Sequence, residues 1–327
     1  MKNKSIIFEI VFLQTLGPIL VVIGHSMNGL PENEFFQYIK SFIYVFHMPL
    51  FFFISGLLFS YCYKDKNISY KEYIMKKAYK LLIPYFFWNF IFILPKYLIQ
   101  SFLVDSFDLS LKNLLLMIIT PRLMIWGHTW FLVAIFIVYY LAPFLKKIFL
   151  DFKILFYILL ALTILLSCFP INNDILTMAD LSKDFCFFII GFTIFQFRYV
   201  LTERKNIVLF TLLFVISFIL WNTLNFRAIE VLLCFSVLVL LLTIGVYLKT
   251  KIRSNIISDN SMTFYLFHWP FMIITRILLF QLLHLNYILV VLFMLISGVL
   301  GPIIMIKIID YTKIKQKSKF IKTIIGG

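Results

Sequence analysis

The feature that most constrains this chain is a succession of apolar stretches, each about as long as a bilayer is thick, joined by short connections of alternating charge. A helix needs about 20 predominantly apolar residues to cross the hydrocarbon core. Stretches of that order fall near residues 6–28, 38–61, 81–103, 128–145, 153–170, 183–200, 207–222, 227–248, 262–283 and 286–309. The second is followed by Lys64, Lys66, Lys71, Lys76, Lys77 and Lys80, the fourth by Lys146, Lys147 and Lys153, and the sixth by Arg198, Arg204 and Lys205. Lys249, Lys251 and Arg253 follow the eighth, and Lys313, Lys315, Lys317, Lys319 and Lys322 follow the tenth. The intervening connections are acidic or neutral: Glu32 and Glu34, Asp105 and Asp108, Asp174 and Asp180, then an uncharged 282–286. With every second connection basic, the positive-inside rule puts both termini in the cytoplasm. The expected fold is all-α: a polytopic integral membrane protein with ten transmembrane helices in one bundle. It is expected to form a single domain over 1–327, with a basic cytoplasmic tail at about 311–327. Residues 111–126 are apolar but short, and read as an interfacial or re-entrant helix stopped by Pro121.

Composition excludes the soluble classes. With 62% hydrophobic residues and a mean hydropathy of +0.98, there is too little charge to coat a globule. The net charge of +15 is dispersed through connections at an anionic membrane face, so it does not read as a nucleic-acid patch. Cys62, Cys168, Cys186 and Cys234 are scattered without CxxC spacing, which indicates neither a disulfide framework nor a thiolate metal site. Met1-Lys2-Asn3-Lys4 has the look of a signal-peptide start, but the apolar run behind it is long and lacks an Ala-x-Ala-type cleavage site, so a retained anchor is expected. No inverted repeat of the transporter kind is visible.

Several of these stretches carry groups that lipid does not tolerate idly. The first holds Gln14, Pro18 and His25. Eleven helical residues make about three turns, so Gln14 and His25 share a face, ~16 Å apart along the axis, and Pro18 leaves the Gln14 carbonyl free. The second reads Phe46-His47-Met48-Pro49-Leu50-Phe51-Phe52-Phe53-Ile54-Ser55-Gly56. Here a proline breaks the ladder near His47, and Ser55 and Gly56 allow another backbone close. Its phenylalanines read as lipid-facing bulk. Lys77 and Lys80, three apart on one face where the chain re-enters the membrane, can hold phosphates as point charges. Gly127-His128-Thr129-Trp130 opens the fourth stretch at the outer edge, and the ninth holds Tyr265-Leu266-Phe267-His268-Trp269-Pro270 followed by Arg276, for which Glu230 is a candidate partner. Ionisable groups at such depth are functional candidates. His25, His47 and His268 within the membrane, with His128 at a helix end, imply an enclosed polar chamber. The basic entrance implies an anionic ligand arriving from the cytoplasm.

At these residues the chain resembles the acyltransferase-3 family of integral membrane acyltransferases, in the branch related to fucose 4-O-acetylases. The resemblance rests on Val21-Val22-Ile23-Gly24-His25-Ser26, on His47-Met48-Pro49-Leu50-Phe51-Phe52-Phe53-Ile54-Ser55-Gly56, on Trp130-Phe131-Leu132 and on Tyr265-Leu266-Phe267-His268-Trp269-Pro270, in family order. It implies an O-acyltransferase, usually an O-acetyltransferase. Such an enzyme takes an acyl group from cytoplasmic acyl-CoA, acetyl-CoA in the usual case, and passes it to a sugar hydroxyl of a cell-surface or lipid-linked glycan at the cell membrane. No metal is implied. His25 is the family's first-helix histidine, but Gln14 stands where the family has a cation, and Lys77 and Lys80 stand where it has an arginine pair. No appended SGNH-type hydrolase domain is visible, so transfer is expected inside the bundle. On this reading His25 is the general base, and Ser26, Trp130, His268 and Arg276 are candidates to polarise the carbonyl. His47, His128, Trp130 and Arg276 face the acceptor, while Gln14, Lys77 and Lys80 face CoA. The rival reading is a secondary transporter or flippase for a glycan or small anionic solute, which also places ionisable groups at the midplane.

Overall fold

A computed structural model describes residues 8–31, 33–63, 66, 69–102, 110, 116, 118–201, 203–248, 253–312 and 318–326, the side chains of 198–201, 204 and 319 excepted. Met1 to Lys4, Glu32, Lys64, Asp105, Asp108, Lys249, Lys251, Lys313, Lys315, Lys317 and most of 111–117, all used above, lie outside the described residues.

The described secondary structure is entirely helical. In chain order the helices are α1 (Phe8–His25), α2 (Glu34–Tyr63), α3 (Tyr70–Ile91), the short α4 (Ile93–Leu98), α5 (Trp130–Asp151) and α6 (Lys153–Cys168). There follow α7 (Met178–Leu201), α8 (Arg204–Thr223), α9 (Arg227–Tyr247), the one-turn α10 (Ile256–Asp259), α11 (Ser261–Arg276), α12 (Tyr287–Tyr311) and α13 (Lys319–Ile324). Among the described residues eight helical segments are long and apolar enough to cross a membrane. This is a polytopic membrane protein.

Element ends depart from the hydropathy boundaries where charge and helix share a segment. The third stretch is helical from Tyr70, so Lys71, Lys76, Lys77 and Lys80 are on α3 and not in a connection. Lys71, Lys76 and Lys80 are exposed, while Lys77 is half-buried. Helical Leu116, Ile118 and Ile119 give way at Thr120, so a helix does end at Pro121 as expected. Pro121 then opens a 3-10 turn, Pro121–Leu123, with a second such turn at Gly127–Thr129 leading into α5.

The core is built around α2, whose most extensive packing is against α7. The two backbones touch at glycines: a Cβ added to Gly56 would lie 2.1 Å from the Phe188 carbonyl oxygen, and one added to Gly191 would lie 2.2 Å from that of Phe53. This bears out the small-residue reading of Gly56 and corrects the lipid-facing reading of its neighbours. Phe52 and Phe53 are both 0% exposed. Apolar side chains suit lipid and core equally, and it is the α2–α7 contact that decides between them.

The short helix α10 is fixed by Asn255, whose Oδ1 accepts from the Ile257 and Ser258 amides while Ser258 Oγ accepts from the Asn255 amide. At the other end of the chain, α13 docks between α3 and α11. Trp88 Nε1 donates to the Ile324 carbonyl at 2.6 Å, and Thr263 Oγ1 donates to that of Ile325 at 2.5 Å.

Candidate active site

Four separate segments each deliver one histidine to the same place. His25 is the last residue of α1, where the chain leaves the helix through a turn that ends on Gly29 at φ +72°. His47 sits mid-α2, two residues before Pro49. His128 lies in the 3-10 turn before α5, and His268 lies in α11 two residues before Pro270. Their ring centroids form a row: His47 to His25 is 6.4 Å, His25 to His268 is 5.7 Å with the rings 26° from parallel, and His268 to His128 is 5.4 Å. Trp269 closes edge-on to His25 at 5.0 Å.

Hydrogen bonding fixes two of the tautomers. His47 Nδ1 lies 3.1 Å from the Ile43 carbonyl and His268 Nδ1 lies 2.7 Å from the Tyr265 carbonyl. A carbonyl only accepts, so both nitrogens carry the proton, and each neutral ring keeps its Nε2 lone pair. His268 Nε2 has no partner among the described residues. Neutral His268 therefore accepts hydrogen bonds there and cannot polarise a carbonyl as a donor, which corrects that part of its expected role. His128 has no partner at either ring nitrogen. Whichever tautomer it adopts, it offers one N–H. His25 Nδ1 lies 2.9 Å from the Asn28 amide nitrogen and 3.4 Å from the Tyr44 hydroxyl. Its Nε2 is the ring nitrogen left to a substrate.

The turn bearing His128 is pinned by Asn89 of α3, itself 2% exposed. Asn89 Oδ1 accepts from the Trp126 amide at 2.8 Å, and its Nδ2 donates to Thr129 Oγ1 at 2.9 Å. Tyr265 Oη donates to the His128 carbonyl. A buried polar network satisfied in this way holds an otherwise irregular segment in one conformation.

His25, His47 and His128 line a cavity of about 1760 Å3 together with Trp130, Trp269 and Arg276, while His268 stands behind them against the His25 and His128 rings and does not line it. The other wall of the cavity is charged. Arg122 grips Asp180 with both ends of its guanidinium, Nε to Oδ2 at 2.8 Å, and stacks 4.4 Å above the Trp130 ring. Burial alone lowers the Arg122 pKa, but the Asp180 bonds and the Asp180, Asp174 and Asp184 charges outweigh it and raise the value. Lys183, Asp184 and Arg227 complete that wall. None of these charged residues stood out in the sequence as part of a site.

Other expected residues are placed elsewhere. Ser26 is 0% exposed and gives its hydroxyl proton to the Ile23 carbonyl at 2.7 Å, so it is not a donor to the cavity. Gln14, Lys77 and Lys80 do not line it. Lys77 Nζ instead stands 3.4 Å over the Tyr139 ring, while Lys77 and Lys322 are close enough for their charges to act on Lys80. The Glu230 pairing with Arg276 is also corrected. Glu230 binds Arg227 one turn away on α9 at 2.5 Å, and Arg276 donates to the Gly29 carbonyl at 3.3 Å and the Phe102 carbonyl at 3.4 Å. Among the described residues no three His, Cys, Asp or Glu side chains are placed to hold one metal ion.

A helical membrane bundle with neutral imidazoles around a buried polar cavity is suited to proton transfer at a group held away from water. Comparison with known families agrees: residues 9–307 match the acyltransferase-3 family by its acyltransferase domain. The chain belongs to that family. Among curated proteins it is similar to nodulation protein NolL of Sinorhizobium fredii (strain NBRC 101917 / NGR234), with 31% identity over 214 residues, covering 64% of this chain and 52% of NolL. The chain thus spans about half the length of that relative. No solved structure matches it.

Proposed function

We propose that this protein is an O-acetyltransferase of the cell membrane that moves an acetyl group from cytoplasmic acetyl-CoA to a sugar hydroxyl of a surface or lipid-linked glycan. On this reading the chain crosses the membrane ten times with both termini inside, α6 and α7 adding to the eight clearest spans. The acceptor enters the histidine cavity from the outer side. The observation that carries the proposal is the meeting of His25, His47, His128 and His268 from four segments in one row of rings, the first three lining one cavity.

His25 Nε2 takes the proton of the acceptor hydroxyl as that oxygen becomes the nucleophile, a role typically worth about 10²–10⁴-fold. The base needs its own proton on Nδ1. Tyr44 Oη, or the Asn28 amide turned by half a rotation, accepts that proton and leaves Nε2 free. His128 offers an N–H to the developing oxyanion, the larger electrostatic contribution in acyl transfer. The Nε2 lone pair of His47 orients a further hydroxyl, His268 backs the His25 and His128 rings, and Trp130 and Arg276 bound the space. The thioester of acetyl-CoA supplies the activated acyl group. Lys77, Lys80 and Lys322 form its proposed phosphate contact, a cluster of point charges on the cytoplasmic side, with Gln14 on α1 between that face and His25.

Purified protein in detergent, given acetyl-CoA and methyl hexopyranosides, should release free thiol. His25→Ala should abolish the release while leaving the melting temperature in place. Thiol release that survives in a folded His25→Ala protein overturns the proposal.

A further inference from the structure

We propose that Asp184 is the specificity residue of an acceptor subsite, where its carboxylate takes hydrogen bonds from the hydroxyls of a neutral pyranose. The inference rests on the acyltransferase reading above and assigns the part of the cavity that reading leaves open.

Asp184 lies on α7 one turn beyond Asp180, so both project from one face. It lines the cavity and is only 6% exposed. Asp180 is consumed by its two bonds from Arg122. Asp184, in contrast, has no hydrogen bond or ion-pair partner among the described residues. A carboxylate has about four lone-pair sites, and a buried polar group left without a partner is unfavourable, the more so if charged. Basic Arg122, Lys183 and Arg227 and acidic Asp180 all act on Asp184 electrostatically, and none of them takes its acceptor sites. What is left is a buried carboxyl group with acceptor sites open toward the cavity.

That arrangement selects a ligand class. An anion at Asp184 meets the carboxylate, and a cation meets three basic side chains. A neutral group with several O–H donors meets neither. Trp126, Trp130 and Trp269 line the same cavity. Phe92 stacks on Trp126 and Arg122 on Trp130, which leaves Trp269 to offer an aromatic surface to the C–H side of a sugar ring. Carboxylate and aromatic surface together describe a pyranose site. A site built to bond a hydroxyl rejects the analogue lacking it far more strongly than an apolar pocket rejects a missing methylene.

Binding is measured without any CoA, as quenching of tryptophan fluorescence when methyl hexopyranosides are titrated into detergent-purified protein. At least one hexoside should bind, Asp184→Ala should weaken it tenfold or more, and Asp184→Asn should weaken it less because the amide oxygen still accepts. The monodeoxy hexoside lacking the contacted hydroxyl should bind wild type more weakly than its parent does, yet match its parent on Asp184→Ala. Equal hexoside affinity in wild type and folded Asp184→Ala overturns the subsite, as does the absence of any hexoside binding. Should Asp184→Ala not fold, the same comparison in Asp184→Asn decides: deoxy discrimination as large as in wild type removes Asp184 from the contact. Thiol release from acetyl-CoA scores the transferase reading separately. Asp184-dependent binding without thiol release keeps the subsite and removes the enzyme, and thiol release with Asp184-independent binding does the reverse.

Discussion

Replacing Gly56 by alanine tests the link between the α2–α7 contact and the site. The added methyl carbon would lie 2.1 Å from the Phe188 carbonyl oxygen, 2.7 Å from the Phe192 nitrogen and 3.0 Å from the Phe188 carbonyl carbon. Non-bonded heavy atoms settle at about 3.5 Å or more, so the shortfall exceeds roughly 1 Å. All three atoms are backbone, and no rotamer change relieves the clash; the helices must separate. Overpacking of this kind costs about 1–3 kcal/mol and occasionally more, and a rigid obstacle places Gly56→Ala at the upper end. At about 2–4 °C per kcal/mol for a large domain, the melting temperature should fall by about 6–12 °C. Activity should fall with it, because α2 carries His47 and α7 carries Asp180 and Asp184. Misplacing reacting groups by about 1 Å can cost 10²-fold. The control is Gly17→Ala, whose methyl meets the Phe51 ring edge at 3.1 Å. That side chain can swing aside, and the loss should stay below about 1 kcal/mol. Thermal unfolding in detergent and thiol release read both effects. A Gly56→Ala protein as stable and active as Gly17→Ala would refute the reasoning, since the backbones would then not be in contact.

Two further outcomes follow from the donor side and from the base. Asn28→Ala should lower kcat about tenfold or more with little change in the acceptor KM, because the tautomer of His25 is released while the cavity wall is not; Asn28→Asp, which can only accept from Nδ1, should retain activity, and identical kcat values in all three proteins would remove Asn28 from the proton path. Lys77→Ala combined with Lys80→Ala should weaken acetyl-CoA binding most at low ionic strength, where a Debye length near 30 Å leaves the charges unscreened. Unchanged affinity in a low-salt titration would take both lysines out of the phosphate contact.

The membrane-spanning bundle was legible because lipid enforces it: an apolar run of sufficient length has few other uses. The histidines were legible for the related reason that an imidazole beside a proline in such a run needs a partner or a purpose, and four of them stand in one row of rings. The charged wall was not. Asp180 looks like an outer-connection marker when read along the chain, and Arg122 falls in a stretch that reads as interfacial; only the fold brings them together across 58 residues. Glu230 shows a nearer failure. Arg227, three residues before it, was available as an i,i+3 partner, yet the deeper Arg276 drew the pairing because buried charge commands notice. Asn28, also three residues from its histidine, was readable in the same way. Helix periodicity finds such local partners when it is applied to polar residues as strictly as to apolar ones. It cannot find Asp184, whose significance is that no hydrogen-bond or ion-pair partner among the described residues binds it, and that is a property of the assembled cavity alone.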